Sequence, residues 1–288
     1  MNFPINELPA AEFPKGLLEI PQPPKQLNYR GQLPSPTLKL LTIVGSRKYT
    51  SYGKQVVDEL VAGLQGYRIG IVSGLALGID SLAHEAALKN NLYTLAIPGS
   101  GLDDTVLYPA KHKPLARKIL ENGGGLLSEF EPDFRATDWS FPQRNRLVAG
   151  ISHATLLIEA AEKSGTLITA RLATDYNRDL LVVPGSIFSK THVGIHQFLK
   201  LGATPVTCSE DILEVLNIDT STQPSLTVAP PALTPEEQHV LAALHEPLTR
   251  DELIRALQLP TEKATQLLML MELSGHIVQA AGTYRAAR

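Results

Sequence analysis

Short apolar runs alternate with amphipathic stretches between residues 38 and 216, and this alternation limits the possible folds more than any other feature. The runs are four or five residues long, which is typical of strands buried on both faces of a parallel sheet. In the first amphipathic stretch, Tyr52, Val56, Leu60 and Leu64 share one helical face. Helices of this kind would cover the sheet, so the pattern predicts a doubly wound α/β domain.

Six strands and five further helices follow from the same reading of residues 38–216, which we take as one Rossmann-like domain. The predicted strands are Leu40–Val44, Ile69–Val72, Tyr93–Ile97, Gly125–Ser128, Thr155–Ile158 and Leu180–Val183, and the further helices are about Lys111–Leu120, Gln143–Gly150, Thr166–Tyr176, Gly194–Leu199 and Ile79–Lys89.

The segments on either side of this domain have a different composition. Residues 1–37 are rich in proline, which excludes a long helix and indicates an extended leader lying on the α/β domain. Residues 217–233 are rich in Ser, Thr and Pro and predict a linker. Residues 234–288 contain two capping-box patterns, Thr234-Pro-Glu-Glu and Thr249-Arg-Asp-Glu, then a third helix and a short hairpin. Three helices followed by a hairpin predict a small winged-helix domain.

The composition places the chain in a reducing compartment. Cys208 is the only cysteine among 288 residues, so no internal disulfide can form. No apolar run reaches the roughly 18 residues of a membrane span, and the first ten residues lack the pattern of a signal peptide. We therefore expect a cytoplasmic protein without membrane association. The net charge of −3 argues against bulk attraction to nucleic acid, so any DNA binding requires a local cluster of cations.

Two loops at predicted strand ends could bind phosphate. Ser46, Arg47 and Lys48 follow the first strand, where a hydroxyl and two cations would meet a ligand beyond the carboxyl end of the sheet. Lys163 precedes Ser164, Gly165 and Thr166, which open a helix whose free amides favour an anion. Either loop could also be a structural turn, with Ser164 and Thr166 acting only as helix caps.

A third segment combines an aromatic residue with guanidinium groups. Phe141 stands just before Arg144, Asn145 and Arg146, and aromatic rings beside arginines are what proteins use to bind single strands. The alternative is that one arginine pairs with a buried acid such as Glu129 or Glu159. We find no catalytic triad order, no metal-spaced cluster and no Walker lysine loop, and therefore expect a phosphate-binding pocket that needs no metal, no cofactor and no catalytic residue.

Together these motifs resemble, in order and spacing, the DprA/Smf family of DNA-processing proteins. The match extends over about residues 13–210 and carries weight because five weak motifs occur in series. They are Gly45-Ser46-Arg47, Ser73-Gly74-Leu75-Ala76 with Gly78-Ile79-Asp80, Gly101-Leu102-Asp103 with Tyr108-Pro109, Phe141-Pro142 with Arg144-Asn145-Arg146, and Ser164-Gly165-Thr166-Leu167.

The resemblance implies a non-catalytic protein that binds and protects single-stranded DNA during natural transformation and helps to load the RecA recombinase onto it. It also implies a homodimer, with contacts expected at His196, Leu199, Leu201 and Val206. The sequence departs from the family pattern at Asp138, where a basic residue is usual and where a carboxylate should repel phosphate. The late Gly-x-Asn pattern reads Gly194-Ile195-His196, which affects the expected register of the dimer.

The charge distribution separates the two predicted domains. Residues 38–218 contain 18 basic and 18 acidic residues, whereas residues 232–288 contain 5 basic and 7 acidic ones. Because a DNA-reading helix normally carries cations, we expect the predicted third helix, Thr261–Leu273, to contact protein rather than duplex DNA.

Two other functions stay open on the sequence alone. A nucleotide phosphoribohydrolase of the LOG type has the same kind of fold, although no pair of glutamates follows Ser164-Gly165-Thr166 here. An adaptor whose tail recruits a partner, with a vestigial pocket in the α/β domain, is the other alternative.

Overall fold

The computed structural model describes residues 3–219, 234–280 and 282–286. The chain divides into two compact units, residues 1–224 and 225–288. Most of the predicted linker, residues 220–233, lies outside the described residues, as does Ala281 in the predicted hairpin turn. Among the described residues, none of the helices combines the length and the apolar character that crossing a membrane requires.

A nine-stranded, mostly parallel sheet forms the centre of the first unit. Its spatial order is β1-β2-β6-β5-β4-β3-β7-β8-β9, and all neighbours from β6 to β9 are parallel. The six predicted strands are confirmed to within one residue at each end. The strands are β1 (Asn6–Glu7), β2 (Asn28–Gly31), β3 (Lys39–Val44), β4 (Ile69–Ser73), β5 (Tyr93–Ala96), β6 (Gly125–Ser128), β7 (Ala154–Leu157), β8 (Asp179–Val182) and β9 (Thr204–Pro205).

Helices cover both faces of this sheet and bury a separate apolar core on each. The doubly wound α/β prediction is therefore confirmed. The helices of the unit are α1 (Lys15–Leu18), α2 (Ser51–Ala62), α3 (Ile79–Lys89), α4 (Lys113–Glu121), α5 (Ser140–Ile151), α6 (Thr166–Asp175), α7 (Val193–Lys200) and α8 (Ser209–Val215). Helices α2, α3 and α8 pack on one face, and α1, α5, α6 and α7 on the other.

The proline-rich leader is part of the same unit. Strand β2 pairs antiparallel with β6, and β1 pairs antiparallel with β2, so the leader extends the sheet by two strands. Its own Leu17 and Leu27 are fully buried in the core on one face of the sheet. The leader thus closes one edge of the sheet, and the boundary after residue 37 stays a prediction.

The order of the parallel strands reverses at β3, which lies between β4 and β7. The chain moves from β3 to β4, β5 and β6 in one direction and then returns to β7 and β8 on the other side. In open α/β sheets, ligands bind beyond the carboxyl ends of the strands at such a switch point. The loops after β3, β4 and β7 are therefore where the topology places a binding site.

The second unit has the arrangement expected of a winged helix. Both predicted capping boxes form, with Thr234 and Thr249 each accepting a bond from the amide of the glutamate three residues later. Val240, Leu253 and Met271 are buried in its small core. Its elements are α9 (Pro235–Ala243), β10 (Leu248–Thr249), α10 (Arg250–Leu257), α11 (Thr261–Leu273), β11 (Ile277–Ala280) and β12 (Thr283–Ala286), with strand order β10-β12-β11.

Candidate nucleic-acid interface

The loop after β3 is held in a tight turn by its own serine. The Ser46 hydroxyl donates to the carbonyl of Lys48 over 2.8 Å and accepts from the Lys48 amide over 3.1 Å. Gly78 has a φ of +91°, and a Cβ there would lie 2.2 Å from the Ser46 carbonyl oxygen. Glycine at this position therefore lets the β3 loop lie directly against the start of α3, where the Ile79 amide donates to Ser46.

Arg47 projects from this turn towards the amino-terminal turn of α5. Its guanidinium carbon lies 5.6 Å from the centre of the Phe141 ring, a cation–π contact. The Phe141 ring in turn lies 5.5 Å from that of Tyr108. Arg47 is exposed and forms no ion pair with any residue that the structure describes. It is a cation available to an external anion beside an aromatic ring.

Arg144 is placed differently, since it is buried below the groove. Its guanidinium donates to the carbonyls of Gly74 and Ile97, and Nε donates to Asn145 Oδ1 over 3.1 Å. The Asp80 carboxylate lies nearby and accepts from the Gly74 amide over 3.1 Å. A Cβ on Gly74 would stand 2.6 Å from both side chains, so glycine is required between them.

Burial dominates the electrostatics of these two groups. It lowers the pKa of Arg144 to about 10, an effect that the neighbouring Asp80 opposes. It also raises the pKa of Asp80, against the guanidinium of Arg144 and the hydrogen bonds around Gly74. Backbone groups hold both side chains in place, so Arg144 fixes the floor of the site.

Arg146 lies outside the groove, because residues two apart on a helix point in nearly opposite directions. Its guanidinium forms an ion pair with Glu129, and Nη1 donates to the Gln22 carbonyl over 2.7 Å. Its side chain is only 12% exposed. The pairing with Glu129 is the alternative that the sequence left open for one of the two arginines.

The amino terminus of α6 forms the opposite wall. Thr166 Oγ1 donates to the Gly45 carbonyl over 2.9 Å, which joins this turn to the β3 loop. Ser164 donates to Thr166 Oγ1 over 2.9 Å, so both hydroxyls are engaged locally. Lys163 is exposed at the beginning of the turn and does not line the groove.

These elements enclose an open groove of about 610 Å³. All predicted site residues line it except Arg146 and Lys163. It also contains residues that the sequence analysis did not assign to the site: Asp80 on its floor and Ile168 on α6. Asp80 belongs to the Gly78-Ile79-Asp80 motif, although its place in the groove depends on tertiary packing, and no local pattern indicated Ile168. The predicted lining residues are Ser46, Arg47, Lys48, Phe141, Arg144, Asn145, Ser164, Gly165 and Thr166, and Asp138 joins them.

One acidic residue near the groove has a structural role at the start of α2. Glu159 is fully buried and accepts from the Thr50 amide over 3.0 Å and from the Thr50 hydroxyl over 2.5 Å, at the start of α2. Among residues 3–219, 234–280 and 282–286, no group of three or more His, Cys, Asp or Glu side chains could hold a metal ion.

The four residues expected at a dimer surface differ in accessibility. Leu201 is 80% exposed, whereas Val206 is only 1% exposed and belongs to the core of its own chain. Leu199 packs partly against the core, and His196 lies 3.1 Å from the Gly185 carbonyl through Nε2. Leu201 is the one among them that a second chain could contact most fully.

Comparison with known proteins agrees with this architecture. A sequence model of the family described as DNA recombination-mediator protein A matches residues 7–217, and one described as the DprA winged helix domain matches residues 224–283. The chain belongs to the DprA family. Protein Smf of Escherichia coli is 37% identical over 283 residues, which cover 94% of this chain and 74% of that protein.

Two solved structures of the family are similar to this chain. DNA processing protein A of Streptococcus pneumoniae has a TM-score of 0.68 and 36% identity, and the match covers 74% of each chain. DNA processing protein A of Helicobacter pylori has a TM-score of 0.66 and 32% identity, and the match covers 75% of this chain and 97% of that one. The study of the latter concerns its mode of binding single-stranded DNA.

Proposed function

We propose that the groove binds the sugar–phosphate backbone of single-stranded DNA. The observation that carries the proposal is the unpaired, exposed guanidinium of Arg47 above the Phe141 ring at the switch point of the sheet. An arginine can form two parallel bonds to a phosphate, and a neighbouring ring offers a surface on which a base can stack. The relative from H. pylori, which binds single-stranded DNA, supports the assignment.

The other predicted site residues would have graded roles. Lys48 and the Ser164–Thr166 turn would meet phosphates next to Arg47, since a cation and helix-start amides both favour anions. Arg144 would supply positive charge from the floor while it positions Asn145. Arg146 and Lys163, which lie outside the groove, would contact only a strand that continues beyond it.

Binding would depend on few phosphate contacts, because the α/β domain as a whole is neutral. With about three to five phosphates neutralised, the logarithm of affinity should fall with the logarithm of salt at a slope of roughly −2 to −3.5. Contacts as few as these favour cooperative or dimeric binding, in which several weak sites share one strand.

Membership of the family supports a wider role. We propose that the protein is a cytoplasmic, non-catalytic homodimer that protects incoming single strands and helps to load RecA during natural transformation. A phosphoribohydrolase is disfavoured, because the buried Glu159 caps α2 and does not line the groove. Release of free base from a nucleoside monophosphate, abolished by Glu159→Gln, would reverse that judgement.

The test is the affinity of Arg47→Ala for a fluorescent oligo-dT, measured by anisotropy at low salt. We expect the affinity to fall about tenfold or more, since a charge-assisted bond is lost, while circular dichroism stays unchanged. Arg68→Ala is the matched control, because Arg68 is exposed just before β4 at the opposite edge of the sheet. Equal affinities of the unmodified protein, Arg47→Ala and Arg68→Ala for oligo-dT would reject the groove as the DNA site.

A protein contact is a second candidate role for the winged-helix unit. Met269 and Leu270 on α11 are 63% and 56% exposed, and Lys263 of the same helix is paired with Glu236 over 2.6 Å. Two exposed apolar side chains on a helix whose one lysine is already paired fit a protein better than a phosphate backbone. Loss of RecA pull-down in a Met269→Ala, Leu270→Ala double variant that still binds oligo-dT would support this role.

A further inference from the structure

The loop after β8 exposes two apolar side chains at the same edge of the sheet as the groove. Phe188 is 90% exposed and Ile187 is 77% exposed. The loop is nonetheless ordered by short-range bonds: the Phe188 amide donates to the Ser186 hydroxyl over 3.2 Å, and the Ser189 amide donates to the Ser186 carbonyl over 3.0 Å. The turn therefore presents an aromatic ring and a neighbouring apolar side chain to solvent in a defined position.

The structure fixes this loop to the start of α2, which continues from the Arg47 turn. The Tyr52 hydroxyl donates to the Pro184 carbonyl over 2.8 Å, and its ring lies 5.6 Å from that of His192. Glu159 accepts from Thr50 at the start of α2 and also lies 3.5 Å from the Thr191 hydroxyl. The Phe188 turn and the Arg47 turn are therefore held by a shared set of contacts.

Exposed rings lie between two cations along this connection. From the groove outward the chain presents Lys48, then Tyr49 and Tyr52, which are 44% and 41% exposed, and then Phe188 and Lys190. There is no Asp or Glu between residues 39 and 57 or between residues 180 and 209. Glu159, which lies between the two turns, is fully buried and bonded.

We propose that single-stranded DNA leaving the groove continues over Tyr49 and Tyr52 to Phe188, where a base stacks on the exposed ring and Lys48 and Lys190 hold the adjoining phosphates. The proposal rests on the proposed function of the groove and extends it to a second contact. Separate rings flanked by cations, on two segments that themselves contain no carboxylate, fit a strand of bases and phosphates better than a protein partner, which would favour one continuous apolar patch.

The experiment measures anisotropy of the full chain with two oligo-dT lengths, about 6 and about 20 nucleotides, which differ in whether they can span both contacts. Phe188→Ala should weaken binding of the longer strand about fivefold or more and leave the shorter one unchanged. Phe188→Trp should restore the affinity, because it restores an aromatic face. Ile187→Ala is the matched control, since it removes a neighbouring exposed side chain that has no ring.

The outcomes separate this contact from the groove itself. If Arg47→Ala weakens both strands while Phe188→Ala weakens neither, the groove stands and the extension is rejected. If Ile187→Ala weakens the longer strand as much as Phe188→Ala does, general apolar contact replaces stacking and the proposal is wrong. A Phe188→Ala protein that changes its mass in light scattering without losing affinity for the longer strand would assign the ring to a protein contact instead. If Arg47→Ala affects neither length, the proposed function fails first.

Discussion

The groove of the α/β domain and the third helix of the winged-helix domain differ in whether their cations are paired with acidic residues. In the groove, Arg47 is exposed, unpaired within the described chain and close to a ring. On α11, Lys263 is paired with Glu236, and the exposed side chains nearby are Met269 and Leu270. Both regions belong to a chain of net charge −3. The net charge therefore does not indicate where an anion could bind. The presence or absence of an acidic partner for each cation is the better guide.

A second contrast lies within the groove, between Arg47 and Arg144. Both are arginines of the same site, but one faces solvent and the other is buried against carbonyls and Asp80. The first should matter for binding and the second for folding. Variants of these two arginines, compared with variants of the winged-helix domain, separate the two roles.

The largest effect is expected from Arg144→Ala. It leaves the buried carbonyls of Gly74 and Ile97 without their donor, so the free energy of unfolding should fall by about 3 to 5 kcal/mol. Urea unfolding followed by tryptophan fluorescence measures it, because Trp139 is the only tryptophan and lies in the α/β domain. Arg250→Ala, at an exposed arginine of the winged-helix domain, should change stability by less than about 0.5 kcal/mol. If Arg144→Ala lowers the free energy of unfolding by less than about 1 kcal/mol, Arg144 does not have the folding role that distinguishes it from Arg47.

Acid should weaken the α/β domain through His84. This side chain is fully buried and bonded to Thr94, and burial lowers its pKa to about 3 from 6.5. Below pH 6.5 the His84 imidazole binds a proton in the unfolded chain but stays neutral in the folded chain. The free energy of unfolding therefore falls as the pH falls towards 3. The loss is about 1.4 kcal/mol per pH unit, or about 2 kcal/mol between pH 6.5 and 5.

The check is the pH dependence of urea unfolding in His84→Gln compared with the unmodified protein. The variant should lose less stability between pH 6.5 and 5, and the difference isolates His84 from other groups that titrate there. Parallel pH profiles would contradict the assignment of His84 as a buried neutral group.

A smaller contrast is expected between single cations of the two domains in DNA binding. Arg47→Ala should lower oligo-dT affinity about tenfold, whereas Lys263→Ala should change it less than about twofold, because Lys263 is already neutralised by Glu236. Anisotropy titrations in the same buffer measure both. Equal losses would mean that the winged-helix domain shares the DNA surface.

The smallest effect is expected from Asp138→Asn, which removes an exposed carboxylate from the wall of the groove. Affinity for oligo-dT should rise about threefold at low salt, and the gain should shrink at high salt as screening increases. A fall in affinity would show that this carboxylate does not face the bound strand.

The sequence predicted the parallel strands well, because each one is a short apolar run between turns. It did not predict α1, β1, β2, α8 or β10, nor β9, the seventh of the parallel strands. The leader strands contain few apolar residues between prolines, and their pairing with β6 is a long-range contact that no local pattern reveals. The adjacent loops at the switch point could be predicted, since the carboxyl ends of parallel strands meet at one edge.

The roles of the individual arginines could be predicted only in part. Helical geometry already implies that Arg144 and Arg146 face different sides, but not which acid each one meets. The pairing of Arg146 with Glu129 and the position of Asp80 beside Arg144 depend on how α5 packs against the loops after β4 and β6. Such packing depends on the whole domain. The sequence therefore shows two arginines of the same type but not the different burial and partners that give them different roles.

The most direct test of the central claim is to photo-crosslink the full chain to an oligo-dT and locate the adducts by mass spectrometry. Adducts should fall in peptides that contain residues 45–49, 138–146 and 163–168, and should be lost in Arg47→Ala. Adducts concentrated in residues 250–286 instead would contradict the account, because the strand would then lie on the winged-helix domain and not in the groove.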